Sequence, residues 1–407
     1  MTATTRHDEA VDRLRDLLAR DGTLRGRLER SLVLARERAE QGLDADLFAA
    51  LEWPQDLEGY ERYLAGFLRW IPQQTGSAAW RNSSPQGDCA KEVSDRLAHF
   101  YFLVDQSDSG DAETSPAIVQ NDDAFRQWLT KFARRWGDFL DTPESFGPRI
   151  LDSFLEHAPE YRVQDSLIDG RPNMPSGWRT FNQFFARQLN AGLRPVAEPA
   201  DNRVVTSGAD CFYQQWYGID GESAIPATRL KGTHGYGHIT SLLEGSRYAG
   251  TFAGGTFVHY MLPPSAYHRF HAPVSGRVEE AFVVQGAAFL QVDLADGELT
   301  SRDSATTGYE FTQTRGVLTV DTTGDPAGDV GIVGVVPVGM SQVASVVLTA
   351  TVGKDVAKGE EFGYFQFGGS DIILLFQAGV DPEVDESAGF RHYGTPVARA
   401  TGAPSRP

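Results

Sequence analysis

An α+β fold is predicted, with a helical N-terminal region over residues 1–165 and a mainly antiparallel, β-rich domain over residues 166–407. Two of the three features behind this lie in the first part. Between Glu9 and Gln41, Val11, Leu14, Leu17, Leu18, Leu24, Leu28 and Leu32 recur at helical spacings among Arg and Glu, the pattern of amphipathic helices. Ala124–Leu140 sets Phe125, Trp128, Leu129, Phe132, Trp136 and Phe139 on one helical face and stops before Asp141-Thr142-Pro143, so these aromatics are core candidates. The third feature is a change near residue 165, where helical periodicity yields to Gly and Pro punctuation and short Val-, Phe- and Tyr-rich runs.

Between the two helical stretches, Gln73–Asp122 is polar and rich in Gly and Ser, and Asp105–Glu113 reads as an exposed loop. In the second part the strand candidates are Gly255–Tyr260, Gly276–Val284, Ala288–Val292, Val317–Val320, Gly331–Val338, Ser345–Ala350 and Asp371–Phe376. Their spacing suits an antiparallel barrel or sandwich.

Charge and cysteine content narrow the function. Across 407 residues, 37 Lys and Arg against 55 Asp and Glu leave a formal charge of −18, a field that repels phosphate backbones, so nucleic acid is excluded as a partner. No run is long and apolar enough for a spanning helix, and MTATTRHDEA lacks the layout of a signal peptide, so a cytoplasmic chain without an integral membrane segment is expected. Cys89 and Cys211, far apart, build neither a disulfide framework nor a zinc site.

Three clusters could carry chemistry. In Phe367-Gly368-Gly369-Ser370 two glycines precede a serine that opens an apolar strand. Lacking Cβ, glycine lets a backbone reach conformations in which a hydroxyl can approach the carbonyl before it; a tight turn feeding a strand would give the same residues. Tyr267-His268-Arg269-Phe270-His271-Ala272-Pro273 holds two imidazoles three residues apart, side chains able to exchange protons near neutral pH. As metal ligands they lack a clear third partner, His259 and Asp210 being the candidates, and no metal is expected. Thr206-Ser207-Gly208-Ala209-Asp210-Cys211 puts a carboxylate at a strand end, where it could orient a histidine or merely bond a backbone amide.

Taken in order, these pieces resemble the phosphatidylserine decarboxylase family of pyruvoyl enzymes. The likeness runs through Phe181-Asn182-Gln183-Phe184-Phe185-Ala186-Arg187-Gln188-Leu189, Arg194-Pro195-Val196, Ser207 to Asp210, Tyr267 to Gly276 and Gly368-Gly369-Ser370. It implies that the chain cleaves itself between Gly369 and Ser370 and that Ser370 becomes a pyruvoyl cofactor, with Gly368 and Gly369 shaping the turn. It also implies that His271 and Asp210 assist this maturation and that His268 serves decarboxylation. Here Gly208 and Cys211 stand where the family commonly has Pro before and Gly after the Ala-Asp pair.

Loss of CO2 from an α-amino acid leaves a carbanion that needs an electron sink, which a pyruvoyl ketone supplies. The substrate expected is a free L-amino acid, an aromatic one such as tryptophan being the specific case. The long helical extension, the negative charge and the Trp-Gly-x-Phe-Leu string within Phe132–Thr142 resemble the family's soluble amino-acid (tryptophan) decarboxylase branch. The alternative is phosphatidylserine itself. A more distant one is a non-enzymatic biotinyl- or lipoyl-like carrier, which would need a presented lysine, whereas Lys354 and Lys358 read as solvated turn residues. A homo-oligomer is compatible with all three.

Overall fold

Aspartates open most of the helices. In the computed structural model, which describes residues 8–84, 87–108, 118–225, 237–301, 311–339, 345–368 and 370–404, Asp8 caps α1 (Glu9–Arg20) and Asp21 caps α2 (Gly22–Gly42). Asp44 and Asp56 do the same for α3 (Ala45–Ala50) and α4 (Leu57–Phe67), and Asp122 for α6 (Asp123–Leu140). Each carboxylate accepts a first-turn N–H that the helix cannot satisfy itself and faces the positive end of the helix dipole. Part of the acidic excess therefore has a local structural use. The predicted Glu9–Gln41 stretch is two helices because Asp21 closes one and caps the next.

The polar, Gly- and Ser-rich segment Gln73–Asp122, for which no helix is predicted, contains α5 (Glu92–Phe102), whose Val93, Leu97, Phe100 and Tyr101 are buried. Asp105–Ser107, expected to be exposed, is buried as well. The Asp105 carboxylate accepts the Val292 N–H at 3.0 Å and Arg38 bonds Gln106 and Ser107, so tertiary partners enclose a sequence that is polar by composition; residues 109–113 of that run lie outside the described residues. Helix α7 (Pro148–His157) and the short α8 (Phe181–Phe185, capped by Thr180) lead into the β-rich part.

The main sheet has eight antiparallel strands. In spatial order they are Asp355–Val356, Gly276–Val284, Thr314–Asp321, Ile332–Gly339, Ser370–Phe376, Thr256–Leu262, Cys211–Gly218 and Phe390–Arg391. A three-stranded sheet joins Val346–Leu348, Glu361–Phe365 and Arg269–His271, and another joins Pro382–Val384, Pro396–Ala400 and Val204–Thr206. The Ala288–Val292 run is not a strand: pairing begins at Val292, and before it Leu290 N–H and C=O are taken by the Gln120 side chain.

Ser370–Phe376 is buried on both faces, as a near-continuous apolar run predicts. Ile372, Leu374 and Phe376 join the large core that also holds the helices, while Ile373 and Leu375 enter a smaller core with Ile239, Leu242, Val336 and Val338. The helical region and one face of the sheet thus share a single apolar interior. Pairing of Arg269–His271 with Glu361–Phe365 brings the segment just before the first of these strands beside the segment just after the second. That register sets His268 against Ser370.

Candidate active site

Ser370, the first residue of its strand, is fully enclosed, and its Oγ lies 3.0 Å from His268 Nδ1. The opposite ring nitrogen, Nε2, faces the Pro264 carbonyl at 3.3 Å. A carbonyl can only accept, so the proton of the neutral ring sits on Nε2 and Nδ1 is left to accept the serine O–H. The ring stacks on Phe185, with centroids 4.0 Å apart. Burial, reinforced by the nearby Arg187 cation, pushes the His268 pKa down to about 3, which keeps the imidazole uncharged and ready to receive a proton.

His271 occupies a separate polar nest. Its Nδ1 donates to the Gly359 carbonyl at 2.8 Å and its Nε2 accepts from the Tyr267 hydroxyl at 3.1 Å. Tyr393 lies flat on the ring, 3.6 Å between centroids and 1° between planes. Burial lowers this imidazole to about 4.

Asp210 is placed at the strand end, as the sequence suggested, and it does orient a histidine, but the histidine is His392. Asp210 accepts His392 Nδ1 at 3.0 Å, the Tyr393 N–H at 2.8 Å and Arg194 Nη2 at 2.7 Å, with Arg194 Nε 3.2 Å from both carboxylate oxygens. Burial alone would raise its pKa; the His392 and Arg194 hydrogen bonds, the Arg194 charge and the Tyr393 N–H outweigh that and hold it below the usual carboxylate range. Among the described residues no hydrogen bond joins Asp210 to His271; the link passes through Tyr393, whose N–H bonds the carboxylate and whose ring covers the imidazole.

The two departures from the family pattern have steric and polar reasons. A Cβ on Gly208 would lie 2.9 Å from the His271 carbonyl oxygen and 3.0 Å from Ile372 Cδ1, and the Gly208 carbonyl accepts the His271 N–H at 2.7 Å. Cys211 is buried beside the Ser207 hydroxyl, 3.3 Å away, and burial pushes its thiol up to about 12, so it stays neutral.

One buried cation stands out. Arg187 is 2% exposed, and its Nη2 donates to the Tyr161 carbonyl at 2.5 Å. Its Nε and Nη1 have no partner among the described residues. Arg187, Arg194 and Tyr267 stood inside quoted motifs without a role, and the signal available was two isolated arginines, Arg187 after Phe184-Phe185-Ala186 and Arg194 before Pro195. His392 and Tyr393 carried no local signal at all. Gly368 is buried, whereas Gly369 lies outside the described residues. Lys358 corrects the sequence reading: its ammonium is buried, donating to the carbonyls of Glu198, Asp201 and Val204 at 2.7, 2.6 and 2.8 Å, because the 198–204 segment turns three carbonyl oxygens toward it. It is therefore not a lysine presented on a carrier turn.

Comparison with known proteins adds the family-level finding. The family model described as phosphatidylserine decarboxylase matches residues 181–397. Phosphatidylserine decarboxylase proenzyme 2 of Oryza sativa subsp. japonica is 30% identical over 258 residues, 63% of this chain and 38% of its own. The phosphatidylserine decarboxylase proenzyme of Ruminiclostridium cellulolyticum is 30% identical over 201 residues, 49% of this chain and 60% of its own. Decarboxylase iboD of Amanita muscaria is 25% identical over 276 residues, 62% of this chain and 77% of its own. Against the Oryza, Komagataella and Schizosaccharomyces proenzymes the chain spans only 38%, 22% and 20% of the relative's length.

Proposed function

The chain belongs to the phosphatidylserine decarboxylase family, and from that premise we propose that it is a decarboxylase that cleaves itself between Gly369 and Ser370, turning Ser370 into a pyruvoyl group. The observation that carries this reading is the buried 3.0 Å contact between Ser370 Oγ and the unprotonated Nδ1 of His268. In the proposed maturation, His268 Nδ1 takes the Ser370 hydroxyl proton while Oγ bonds to the Gly369 carbonyl carbon and the C–N bond breaks, giving an ester and a free amine. Loss of the Ser370 Cα proton then breaks the Cβ–O bond and releases Gly369 as a carboxylate. Uptake of water and release of ammonia leave the ketone.

The site's residues fit such a group. Ser370 is enclosed, has a neutral acceptor on its oxygen and an aromatic ring beside that acceptor, and belongs to a site with buried donors for an anion. Once formed, a pyruvoyl ketone supplies the electron sink that lets CO2 leave an α-carbon bearing an amine. The chain's own residues supply the rest. His268 holds or returns a proton at Nδ1, Arg187 offers Nε and Nη1 to a substrate carboxylate, and the Tyr267–His271–Tyr393 stack with Asp210 and Arg194 keeps the surrounding wall rigid.

The names of the relatives support phosphatidylserine as the first substrate to test, ahead of the free amino acid expected from the sequence. The second reading, a free amino acid, draws support from the −18 charge, and the likeness to Decarboxylase iboD adds a relative that is not named for phosphatidylserine. No helix among the described residues is long and apolar enough to cross a membrane. Purified chain is assayed for CO2 release from phosphatidylserine vesicles and from a panel of L-amino acids, beside Ser370→Ala. The expected result is release by the wild type only, with Ser370→Ala remaining one intact, folded polypeptide. Activity retained in Ser370→Ala would overturn the reading.

A further inference from the structure

The N-terminal helical region reaches the residues that precede the cleavage site. Trp136 on α6 stacks on Trp70 with centroids 5.5 Å apart and meets the edge of Phe367 at 5.6 Å and 82°. Phe367 is 1% exposed, and its N–H donates to Asn182 Oδ1 at 3.0 Å. The same amide's Nδ2 donates to the Gly137 carbonyl, again on α6, at 3.4 Å. One residue earlier, Gln366 Nε2 donates to Asp141 Oδ2, at the end of α6, at 3.0 Å. On the other side of the cleavage point, Asp371 Oδ2 lies 3.1 Å from His259 Nε2, both side chains fully buried, and Ser370 is already in register with Gly339 and Leu262.

The strand after the cleavage point is thus fixed by the sheet, whereas the approach to it is gripped by a helix more than 200 residues away in sequence. We propose that α6, with Asn182 of α8 bonded to it, is a processing clamp: Trp136, Asn182 and Asp141 are positioning residues that hold Gln366 and Phe367 so that the Gly369 carbonyl meets Ser370 Oγ. This rests on the self-cleavage reading above. The physical reason is that attack within one residue tolerates little freedom. A glycine pair gives the backbone freedom to reach the needed shape but not a reason to stay in it, and a displacement of about 1 Å can cost about 100-fold in rate. Anchoring the residue just before the pair restricts that freedom where glycine cannot.

The test follows release of the 38-residue tail, about 4 kDa, on denaturing gels after cell-free synthesis of the full chain. Trp136→Ala is expected to slow splitting about tenfold or more and Trp136→Phe to restore most of it. Asp141→Ala, altering an exposed side chain, should slow splitting about two- to fivefold. Material that has finally split should turn over at the wild-type kcat, a separation that general destabilisation would not give. Should Trp136→Ala fail to fold, Asp141→Ala and Gln366→Ala carry the test. A wild type that splits alongside variants that split equally fast overturns the clamp alone. An unsplit wild type removes the self-cleavage reading and the clamp with it.

Discussion

Replacing His268 by Gln tests the geometry most directly. The imidazole accepts the Ser370 hydroxyl at 3.0 Å through Nδ1, with Nε2–H committed to the Pro264 carbonyl. Glutamine can accept the same hydrogen bond through its amide oxygen but cannot keep the proton. General-base assistance contributes about 10²- to 10⁴-fold, most when the base has a pKa near the working pH. His268, lowered to about 3 by burial, is a weak base, which places the expected loss at the lower end: about 100-fold slower splitting, or about 2.7 kcal/mol in barrier. The sign of the pH effect follows. Because the folded pKa is depressed, the ring is already unprotonated at every pH above about 4, so His268 introduces no inflection in the splitting rate between pH 5 and 8 and the rate falls only as pH drops toward 3. The assay is the time course of tail release from pH 4 to 8. Wild-type splitting by His268→Gln with failure of His271→Gln would refute this and restore the roles implied by the family resemblance, in which His271 serves maturation. A rate climbing tenfold per pH unit between 5.5 and 7 would refute the burial argument.

Other expected outcomes are simpler. Asp210→Asn removes the nearer of the two carboxylates that face Arg194, Asp210 and Arg194 both being enclosed and Asp165 lying 3.8 Å from Nη1; breaking a buried pair costs about 3–5 kcal/mol, and with Asp165 retained the expected loss in urea unfolding is at the lower end, about 3 kcal/mol. Since the folded pKa of Asp210 lies below its unfolded value, the contribution is complete above the unfolded value near 3.9 and is lost as pH falls through the folded one; a gap between wild type and variant that persists unchanged at pH 2 contradicts this. Lys358→Met leaves the Glu198, Asp201 and Val204 carbonyls without their shared donor and should lower stability by about 2–3 kcal/mol, measured by thermal unfolding; a loss under 0.5 kcal/mol would mean water replaces the ammonium at no cost.

Periodicity and residue type carried much of this molecule. The helical face of Ala124–Leu140 and the two-sided apolar run Asp371–Phe376 are written in consecutive residues, because burial of a helix stripe or of both strand faces demands apolar side chains at fixed intervals. Gly368, Gly369 and Ser370 announced themselves as a flexible pair before a nucleophile, and His268 and His271 as a tight pair of imidazoles. Where polar residues are enclosed by distant partners, as at Asp105 and Lys358, local composition pointed to solvent and the fold overruled it.

Sequence by itself therefore determined which residues are chemically able and where the long periodic stretches, such as Ala124–Leu140 and Asp371–Phe376, become helix or strand. Only the tertiary structure decided which imidazole meets the serine, since that depends on the pairing of Arg269–His271 with Glu361–Phe365. It likewise decided that Asp210 engages His392, 182 residues further along, and that α6 touches Phe367. Proton positions and reach depend on neighbours in space, and no local pattern of residue types encodes a neighbour that arrives from a remote part of the chain.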